Sequence, residues 1–244
     1  MVLCDVFMSR APYDWGFIRQ SNWILIEPVQ IDIVSDIVCP WCFIGKRRIS
    51  RVMALRPDIK IEVFWKPYRL DPTVPREGVD RRAYLKAKFG SNPRSAAMGD
   101  AIREEGAREG IAFAFDKITK TPNTLDSHRL VRWAGNAGVQ DVVVEHLFDA
   151  YFIGGQDIGN PAVLCAIASD AGMDGNLVAR LLAGDADLEA VEREAGLANE
   201  MGISGVPTFI FDNRFMICGA REPELLVRII DKALAAEAVS GSAP

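Results

Sequence analysis

Two short apolar runs flank an amphipathic stretch near the start of the chain. Residues 30–35 and 60–65 are rich in β-branched side chains and partly alternate with polar ones, which predicts two strands. Between them, apolar side chains recur with helical spacing: Ile49, Val52 and Met53. Basic side chains lie opposite this apolar stripe: Lys46, Arg47, Arg48 and Arg51. With Pro40 at a favoured first position, the pattern predicts a helix over residues 40–56 and a right-handed βαβ unit.

Strand patterns stop after this unit and helical patterns take over. The predicted helices cover about residues 79–89, 93–109, 124–136, 140–152, 161–171, 175–183 and 186–201. Asn92 before Pro93 and Asn160 before Pro161 mark two helix starts, because asparagine caps a helix and proline suits its first turn. We therefore predict that residues 67–202 form an all-helical insertion.

Strand patterns return after the insertion. Residues 208–211 and 215–218 are apolar and flank the turn residues Asp212 and Asn213, which predicts a β-hairpin. A final amphipathic helix is predicted from Glu222 onward. The predicted segments are an N-terminal extension at 1–28, one α/β domain at 29–66 and 203–237, the insertion at 67–202 and a disordered tail at 238–244.

Composition is typical of a folded globular protein. The 244 residues are 49% hydrophobic and 25% charged, which is enough apolar material for a sizeable core. With 28 basic and 33 acidic side chains the net charge is −5, so we expect neither nucleic acid nor an anionic membrane as a partner. No run approaches the roughly 18 apolar residues of a membrane span, and charges interrupt the first thirty residues, where no signal peptide is predicted. We expect a cytoplasmic location.

The Cys-Pro-Trp-Cys motif of residues 39–42 is the most informative local pattern. Five cysteines in this chain give by chance only about 0.1 pairs at this spacing. The motif lies where the first predicted strand gives way to a helix, which is typical of a thioredoxin-like redox motif. There Cys39 faces the positive end of the helix dipole, which stabilises a thiolate. We predict that Cys39 attacks disulfides and that Cys42 resolves the resulting mixed disulfide.

A zinc site is the alternative interpretation of this cysteine pair. The other candidate ligands form no second close pair: Cys165, Cys218, His128 and His146. Redox chemistry is therefore favoured and no metal is predicted. We interpret Cys165 and Cys218 as buried small apolar residues.

Three segments resemble one family of proteins. They are residues 35–47, residues 122–130 and residues 202–209. Together they are similar to the thioredoxin-fold thiol oxidoreductases of the DsbA superfamily, and most similar to the FrnE-like branch of dithiol-disulfide oxidoreductases and isomerases. The resemblance covers about residues 30–237 and implies an α/β, thioredoxin-like fold with a large helical insertion. Residues 1–28 match nothing in this family, and their aromatic character leaves a homodimer open.

The resemblance also implies a second element of the active site. In the family, the proline matching Pro207 follows a cis peptide bond and packs beside the cysteine pair. The backbone of Val206 is then free to pair with an extended substrate segment. A trans proline opening the next strand is the alternative. The candidate catalytic residues are Cys39, Cys42 and Pro207, and the candidate substrate-binding residues are Pro40, Trp41, Val206, Asn123 and His128.

Three polar residues near these segments have less specific interpretations. Asp36 either relays a proton to the cysteine pair or caps the helix that begins near Cys39. His128 either lines the groove of the resembled family or is a surface histidine on an amphipathic helix. Asn123 and Thr124 are expected to cap the helix that they precede.

The expected activity is thiol-disulfide exchange through the Cys39–Cys42 dithiol, on peptide, protein or small-molecule disulfides. No metal or organic cofactor is required for this chemistry, and glutathione is a candidate co-substrate. Kappa-class glutathione transferases and 2-hydroxychromene-2-carboxylate isomerases share the resembled fold, but typically carry serine in place of the first cysteine, so they are the second interpretation. A chaperone or binding protein with a redox switch is the third.

Overall fold

The N-terminal βαβ unit is confirmed. The structure, a computed structural model, describes residues 28–90 and 93–240. Strand β1 (Val29–Ser35), helix α1 (Pro40–Leu55) and strand β2 (Ile61–Pro67) follow in order, and β1 pairs with β2 in parallel. Pro40 begins α1 at a position where its missing N–H leaves no hydrogen bond unmade.

The C-terminal hairpin completes one mixed sheet. Strand β5 (Thr208–Phe211) lies antiparallel to β1, and β6 (Phe215–Cys218) lies antiparallel to β5, so the strand order is β2-β1-β5-β6. Asp212 and Asn213 both adopt positive φ, which a tight hairpin turn requires. Helix α9 (Pro223–Ser240) follows and makes residues 238–240 helical, so the predicted disordered tail begins too early. Residues 1–27, which make up nearly all of the predicted N-terminal extension, and residues 241–244 lie outside the described residues.

The insertion is predominantly helical, as predicted. Its helices are α2 (Arg81–Phe89), α3 (Pro93–Arg108), α4 (Leu125–Asn136), α5 (Gln140–Phe152), α6 (Pro161–Asp170), α7 (Gly175–Ala183) and α8 (Leu188–Glu200). The expectation that it is wholly helical was wrong, because β3 (Val79–Asp80) pairs antiparallel with β4 (Lys120–Thr121), and Phe115–Lys117 forms a 3₁₀ turn. Two-residue strands are too short to show an alternating pattern, and their partners are distant in sequence.

The two faces of the sheet belong to different apolar clusters, because side chains alternate along β1. Ile31 lies in the main core together with Phe43 of α1 and Leu226 of α9. Val34 lies in a smaller cluster with Ala198 of α8. The main core continues into the insertion, where the ring of Phe43 stacks on Phe148 of α5 with centroids 5.1 Å apart. The helix that carries the cysteine pair therefore packs directly on the helical insertion.

Each helix among the described residues is either too short or too polar to span a lipid bilayer.

A buried acid in the middle of β1, Asp32, makes the stability of the protein depend on pH. Asp32 is buried, with Lys66 Nζ 3.8 Å from its carboxylate and Gln30 donating to it at 3.1 Å. Burial raises the pKa of Asp32 and outweighs these two partners. Since the folded-state pKa lies above the unfolded one, ionisation of Asp32 lowers stability as the pH rises through the folded-state pKa.

We therefore expect Asp32→Asn to unfold at higher urea concentration than the wild type at pH 7. The difference should shrink as the pH falls toward about 3, below the usual aspartate pKa of about 3.9, where the wild-type carboxyl is protonated in both states. Urea unfolding of both proteins at the two pH values measures this difference, and titration of other acids cancels in the comparison. A variant less stable than the wild type at pH 7 would contradict the assignment.

Candidate active site

The cysteine pair lies at the junction of β1 and α1. Cys39 occupies the N-cap position of α1 with extended backbone angles, and its carbonyl accepts the N–H groups of Cys42 at 3.0 Å and Phe43 at 3.4 Å. The Cys39 side chain makes no capping hydrogen bond, so its sulfur remains available at the positive end of the helix dipole. Pro40 and Trp41, which separate the cysteines, are half-buried.

The two thiols have different surroundings. Both are free, and Cys39 retains 5% of its surface exposed whereas Cys42 retains none. Burial, followed by the neighbouring Cys39 thiol, raises the pKa of Cys42 well above its usual range, although the Ser35 hydroxyl and the Asp36 N–H act in the opposite direction. Cys42 is therefore a protonated thiol behind Cys39, and an incoming disulfide meets the Cys39 sulfur first.

The bond between Val206 and Pro207 is cis, as the family resemblance predicted. Its loop lies directly against the cysteine pair, because the Cys39 thiol donates to the Val206 carbonyl with an Sγ to O distance of 3.7 Å. The loop is held by the Gly219 N–H, which donates to the Pro207 carbonyl at 2.7 Å, and by the Thr208 hydroxyl. Val206 is half-buried beside the reactive thiol.

Gly45 sets the distance between α1 and this cis-proline loop. A Cβ atom on Gly45 would lie 2.9 Å from Cγ of Pro207 and 3.2 Å from Cζ of Phe209. The Pro207 and Phe209 rings are both buried, so neither can move away freely to make room for this atom. A glycine is therefore needed where the helix passes the loop.

We expect Gly45→Ala to lower the free energy of unfolding by about 1–3 kcal/mol and to reduce thiol reactivity, because the Pro207 loop must shift. Gly196→Ala is the matched control, since Gly196 is also helical but a Cβ there meets nothing within 4 Å. That control should gain about 0.5–1 kcal/mol. Denaturant unfolding of both variants measures the contrast, and an unchanged Gly45→Ala protein would contradict the close approach.

Asp36 and His128 are brought together, although they lie in different segments. Oδ2 of Asp36 accepts the N–H of Leu70 at 2.8 Å, so its side chain does not cap α1 and the capping interpretation was wrong. Nε2 of His128 lies 3.4 Å from Oδ1 of Asp36 and 2.9 Å from the Tyr68 carbonyl oxygen. His128 is buried, so the interpretation as a surface histidine was also wrong.

The Asn123 side chain forms two hydrogen bonds to the backbone. Its Oδ1 accepts the N–H of Leu125 at 3.0 Å, and its Nδ2 donates to the Val74 carbonyl at 2.6 Å. The predicted cap on α4 is therefore confirmed for Asn123, whereas the Thr124 side chain makes no capping hydrogen bond. Substrate binding by Asn123 stays a prediction.

Sequence reasoning missed that the basic face of α1 is partly buried in ion pairs. Lys46 lies 3.0 Å from Asp141 and 2.8 Å from Glu145, both on α5. Arg48 contacts Glu109 at 2.9 Å and also pairs with Glu105 on α3. The sequence signal for these ion pairs is the run of three basic residues on one helix. It does not identify the acidic partners, because they are distant in sequence.

The other cysteines differ from expectation. Cys165 and Cys218 are half-buried rather than buried, and the Cys218 thiol donates to the Gly205 carbonyl, 3.7 Å away, beside the cis-proline loop. Cys4 lies outside the described residues. Within residues 28–90 and 93–240, no three side chains of His, Cys, Asp or Glu are grouped so that they could hold a metal ion.

A dithiol at the N-terminus of the first helix, facing a cis-proline in a thioredoxin-like fold, is typical of DsbA-like thiol oxidoreductases. Residues 30–231 match the family model of the DSBA-like thioredoxin domain, and the chain belongs to this family. Among curated proteins, the uncharacterized protein YwbO of Bacillus subtilis (strain 168) is 26% identical over 205 residues, or 83% of this chain and 96% of that protein.

Solved structures agree with the fold. A protein described as a probable DsbA oxidoreductase from Streptomyces coelicolor superposes with a TM-score of 0.78 at 27% identity, covering 85% of this chain and 90% of that one. Two others share the fold alone. A 2-hydroxychromene-2-carboxylate isomerase has a TM-score of 0.62 at 14% identity, covering 88% and 100%. The cytosolic disulfide reductase DsbM from Pseudomonas aeruginosa has a TM-score of 0.58 at 16% identity, covering 85% and 99%.

Proposed function

We propose that this protein is a dithiol-disulfide oxidoreductase or isomerase of the FrnE-like branch, acting through Cys39 and Cys42. The observation that carries the proposal is the asymmetry of the pair. The Cys39 thiol lies at the helix N-terminus against the Val206 carbonyl, and Cys42 lies fully buried behind it. This arrangement separates an attacking sulfur from a resolving one.

The chemistry follows from these positions. The Cys39 thiolate attacks one sulfur of a substrate disulfide; a Cys39–substrate bond forms as the substrate S–S bond breaks, and the departing thiolate takes up a proton. The Cys42 thiol then loses its proton, attacks Cys39 and releases the second substrate thiol. Two electrons pass to the substrate and a Cys39–Cys42 disulfide remains. Two molecules of a small thiol such as glutathione restore the dithiol, and the same steps in reverse oxidise a substrate.

Substrate binding is proposed at the loop beside Cys39. Because the Val206 backbone lies against the Cys39 thiol, an extended peptide that pairs with it would bring its disulfide next to the sulfur. Pro40 and Trp41 flank the same sulfur, and Asn123 and His128 remain candidates for the groove. Glutathione as co-substrate agrees with a structure of the fold relative DsbM with GSH. We propose a cytoplasmic location, since DsbM is described as cytosolic. We still predict that the reaction needs no metal or organic cofactor. A homodimer also remains a prediction.

An isomerase of the 2-hydroxychromene type is a weaker candidate, although a protein of that kind shares the fold. Both cysteines of the pair are present here, and the resembled isomerases typically carry serine at the first position. A chaperone with a redox switch would use the same fold without turnover. Catalytic turnover of a disulfide substrate therefore separates the proposed function from both alternatives.

The proposal is tested by trapping the intermediate. A Cys42→Ser protein keeps the attacking sulfur but cannot resolve, so incubation with insulin or a glutathionylated peptide should yield a stable mixed disulfide at Cys39. The wild type should reduce the same substrates catalytically with glutathione. Cys165→Ser, which removes a cysteine of α6 distant from the cis-proline loop in sequence, should turn over like the wild type. Absence of both a mixed disulfide and wild-type turnover would contradict the proposal.

A further inference from the structure

An acid and a histidine meet deep between the sheet and the helical insertion. Asp36 follows β1, three residues before Cys39, and His128 lies near the start of α4. Asp36 is 1% exposed and His128 is 4% exposed. Oδ1 of Asp36 and Nε2 of His128 are 3.4 Å apart. The contact therefore joins the segment before the reactive cysteine to the insertion.

The hydrogen-bond partners of Asp36 and His128 show which of their side-chain atoms carries a hydrogen. Nε2 of His128 lies 2.9 Å from the carbonyl oxygen of Tyr68, which can only accept, so Nε2 carries a hydrogen. Oδ2 of Asp36 accepts the N–H of Leu70 at 2.8 Å. Oδ1 has no hydrogen-bond partner of its own among the described residues. The Nε2 hydrogen of His128 is bonded to Tyr68, so its 3.4 Å approach to Oδ1 gives this buried carboxylate oxygen an electrostatic contact rather than a hydrogen bond.

The backbone of Asp36 connects this contact to both sulfurs. Its carbonyl accepts the N–H of Cys39 at 3.0 Å, which closes the turn of residues 36–39. Its N–H faces the Cys42 thiol and favours the ionised form of that sulfur. A displacement of Asp36 would therefore change the position of Cys39 and remove a donor from Cys42 together.

We infer that Asp36 and His128 are a positioning pair through which helix α4 of the insertion holds residues 36–39 in the geometry at which Cys39 reacts and Cys42 resolves. The inference rests on the proposed function. It needs no proton transfer through Asp36, and so differs from a relay. It gives the insertion a role in exchange chemistry, because His128 lies on a helix of the insertion. The loop after β2 supports both members of the pair: the Tyr68 carbonyl is bonded to His128 and the Leu70 N–H donates to Asp36.

Variants at His128 test the inference. His128→Leu removes the donor, whereas His128→Gln keeps an N–H able to reach the Tyr68 carbonyl and Asp36. For His128→Leu we expect Cys39 alkylation to slow at least about tenfold, because displaced reacting groups lose rate steeply. The equilibrium constant between the Cys39–Cys42 disulfide and glutathione should also shift about tenfold, or about 30 mV. His128→Gln should stay within about threefold of the wild type in both.

The control is His146→Leu, which removes the other histidine of the chain, on α5, and should leave both measurements unchanged. The inference is overturned if folded His128→Leu matches the wild type, or if His128→Gln is as impaired as His128→Leu. If His128→Leu does not fold, Asp36→Asn replaces it, since it keeps an acceptor for Leu70 and removes the charge facing His128. An unaltered equilibrium constant in Asp36→Asn then overturns the inference.

The equilibrium constant separates this inference from the proposed function. It is measured without turnover, by allowing each protein to equilibrate with reduced and oxidised glutathione. A wild type that forms the Cys39–Cys42 disulfide but catalyses no exchange contradicts the proposed function alone. An unaltered constant in the His128 and Asp36 variants contradicts the positioning pair alone.

Discussion

We expect the Cys39→Ser protein to fold like the wild type and to lose thiol-disulfide exchange by a factor on the order of 10³ or more in kcat/KM. A serine hydroxyl does not ionise near neutral pH and forms no mixed disulfide. Cys42 does not take over, because it is fully buried and burial raises its pKa well above the usual range of a thiol. The loss should therefore be nearly complete although one cysteine of the pair remains.

Reduction of a glutathionylated peptide measures this loss, with circular dichroism to show that the variant is folded. Cys165→Ser and Cys218→Ser serve as controls, and both should retain most of the wild-type rate. If Cys39→Ser kept a substantial fraction of the activity, the attacking sulfur would be another cysteine. Cys218 would be the first to consider, since its thiol lies beside the Gly205 carbonyl of the cis-proline loop.

Arg48→Met should be the most destabilising of the charge-removing changes on α1, with a cost of about 3–5 kcal/mol in the free energy of unfolding. The Arg48 guanidinium is buried and donates to Glu109, Glu105 and the Ala220 carbonyl. The Glu109 side chain is itself only 1% exposed. Removal of Arg48 leaves this buried carboxylate with Arg51 as its remaining cation, at 3.0 Å.

Arg108→Met is the matched control for Arg48→Met. Arg108 pairs with Glu104 at 2.7 Å and Glu105 at 2.8 Å, but its side chain is largely exposed. Exposed ion pairs contribute little, so this variant should differ from the wild type by less than about 0.5 kcal/mol. Urea unfolding of the two variants gives the comparison. Equal stabilities would show that the buried ion pairs do not hold α1 on the insertion.

The catalytic half of the candidate site could be predicted because its pattern is local. Cys39, Pro40 and Cys42 follow a β-branched run directly, and the start of a helix after a strand gives the first cysteine its place at the dipole. The cis bond before Pro207 was predicted as well, but only through the family resemblance. No local pattern in the chain distinguishes a cis from a trans proline at that position.

The supporting half of the site could not be predicted in the same way. Asp36 and His128 were each singled out, yet their contact joins residues that are 92 positions apart, and no spacing rule links a strand end to a helix in an insertion. The same holds for Lys46 and Arg48, which looked like one polar face of α1. Helical periodicity tells which residues share a face, but not whether acids from another helix will cover it.

The sequence by itself determined the order of the helices and of the four strands of the main sheet, though not the short strands β3 and β4. It also determined the position of the dithiol at a helix start. These features depend on side-chain periodicity and capping, which act over a few residues. Only the tertiary structure decided that the Cys39 thiol meets the Val206 carbonyl, 167 residues away, and that Cys42 is the buried partner. Burial and long-range contact depend on how the elements pack, and packing brings together residues whose separation along the chain carries no signal.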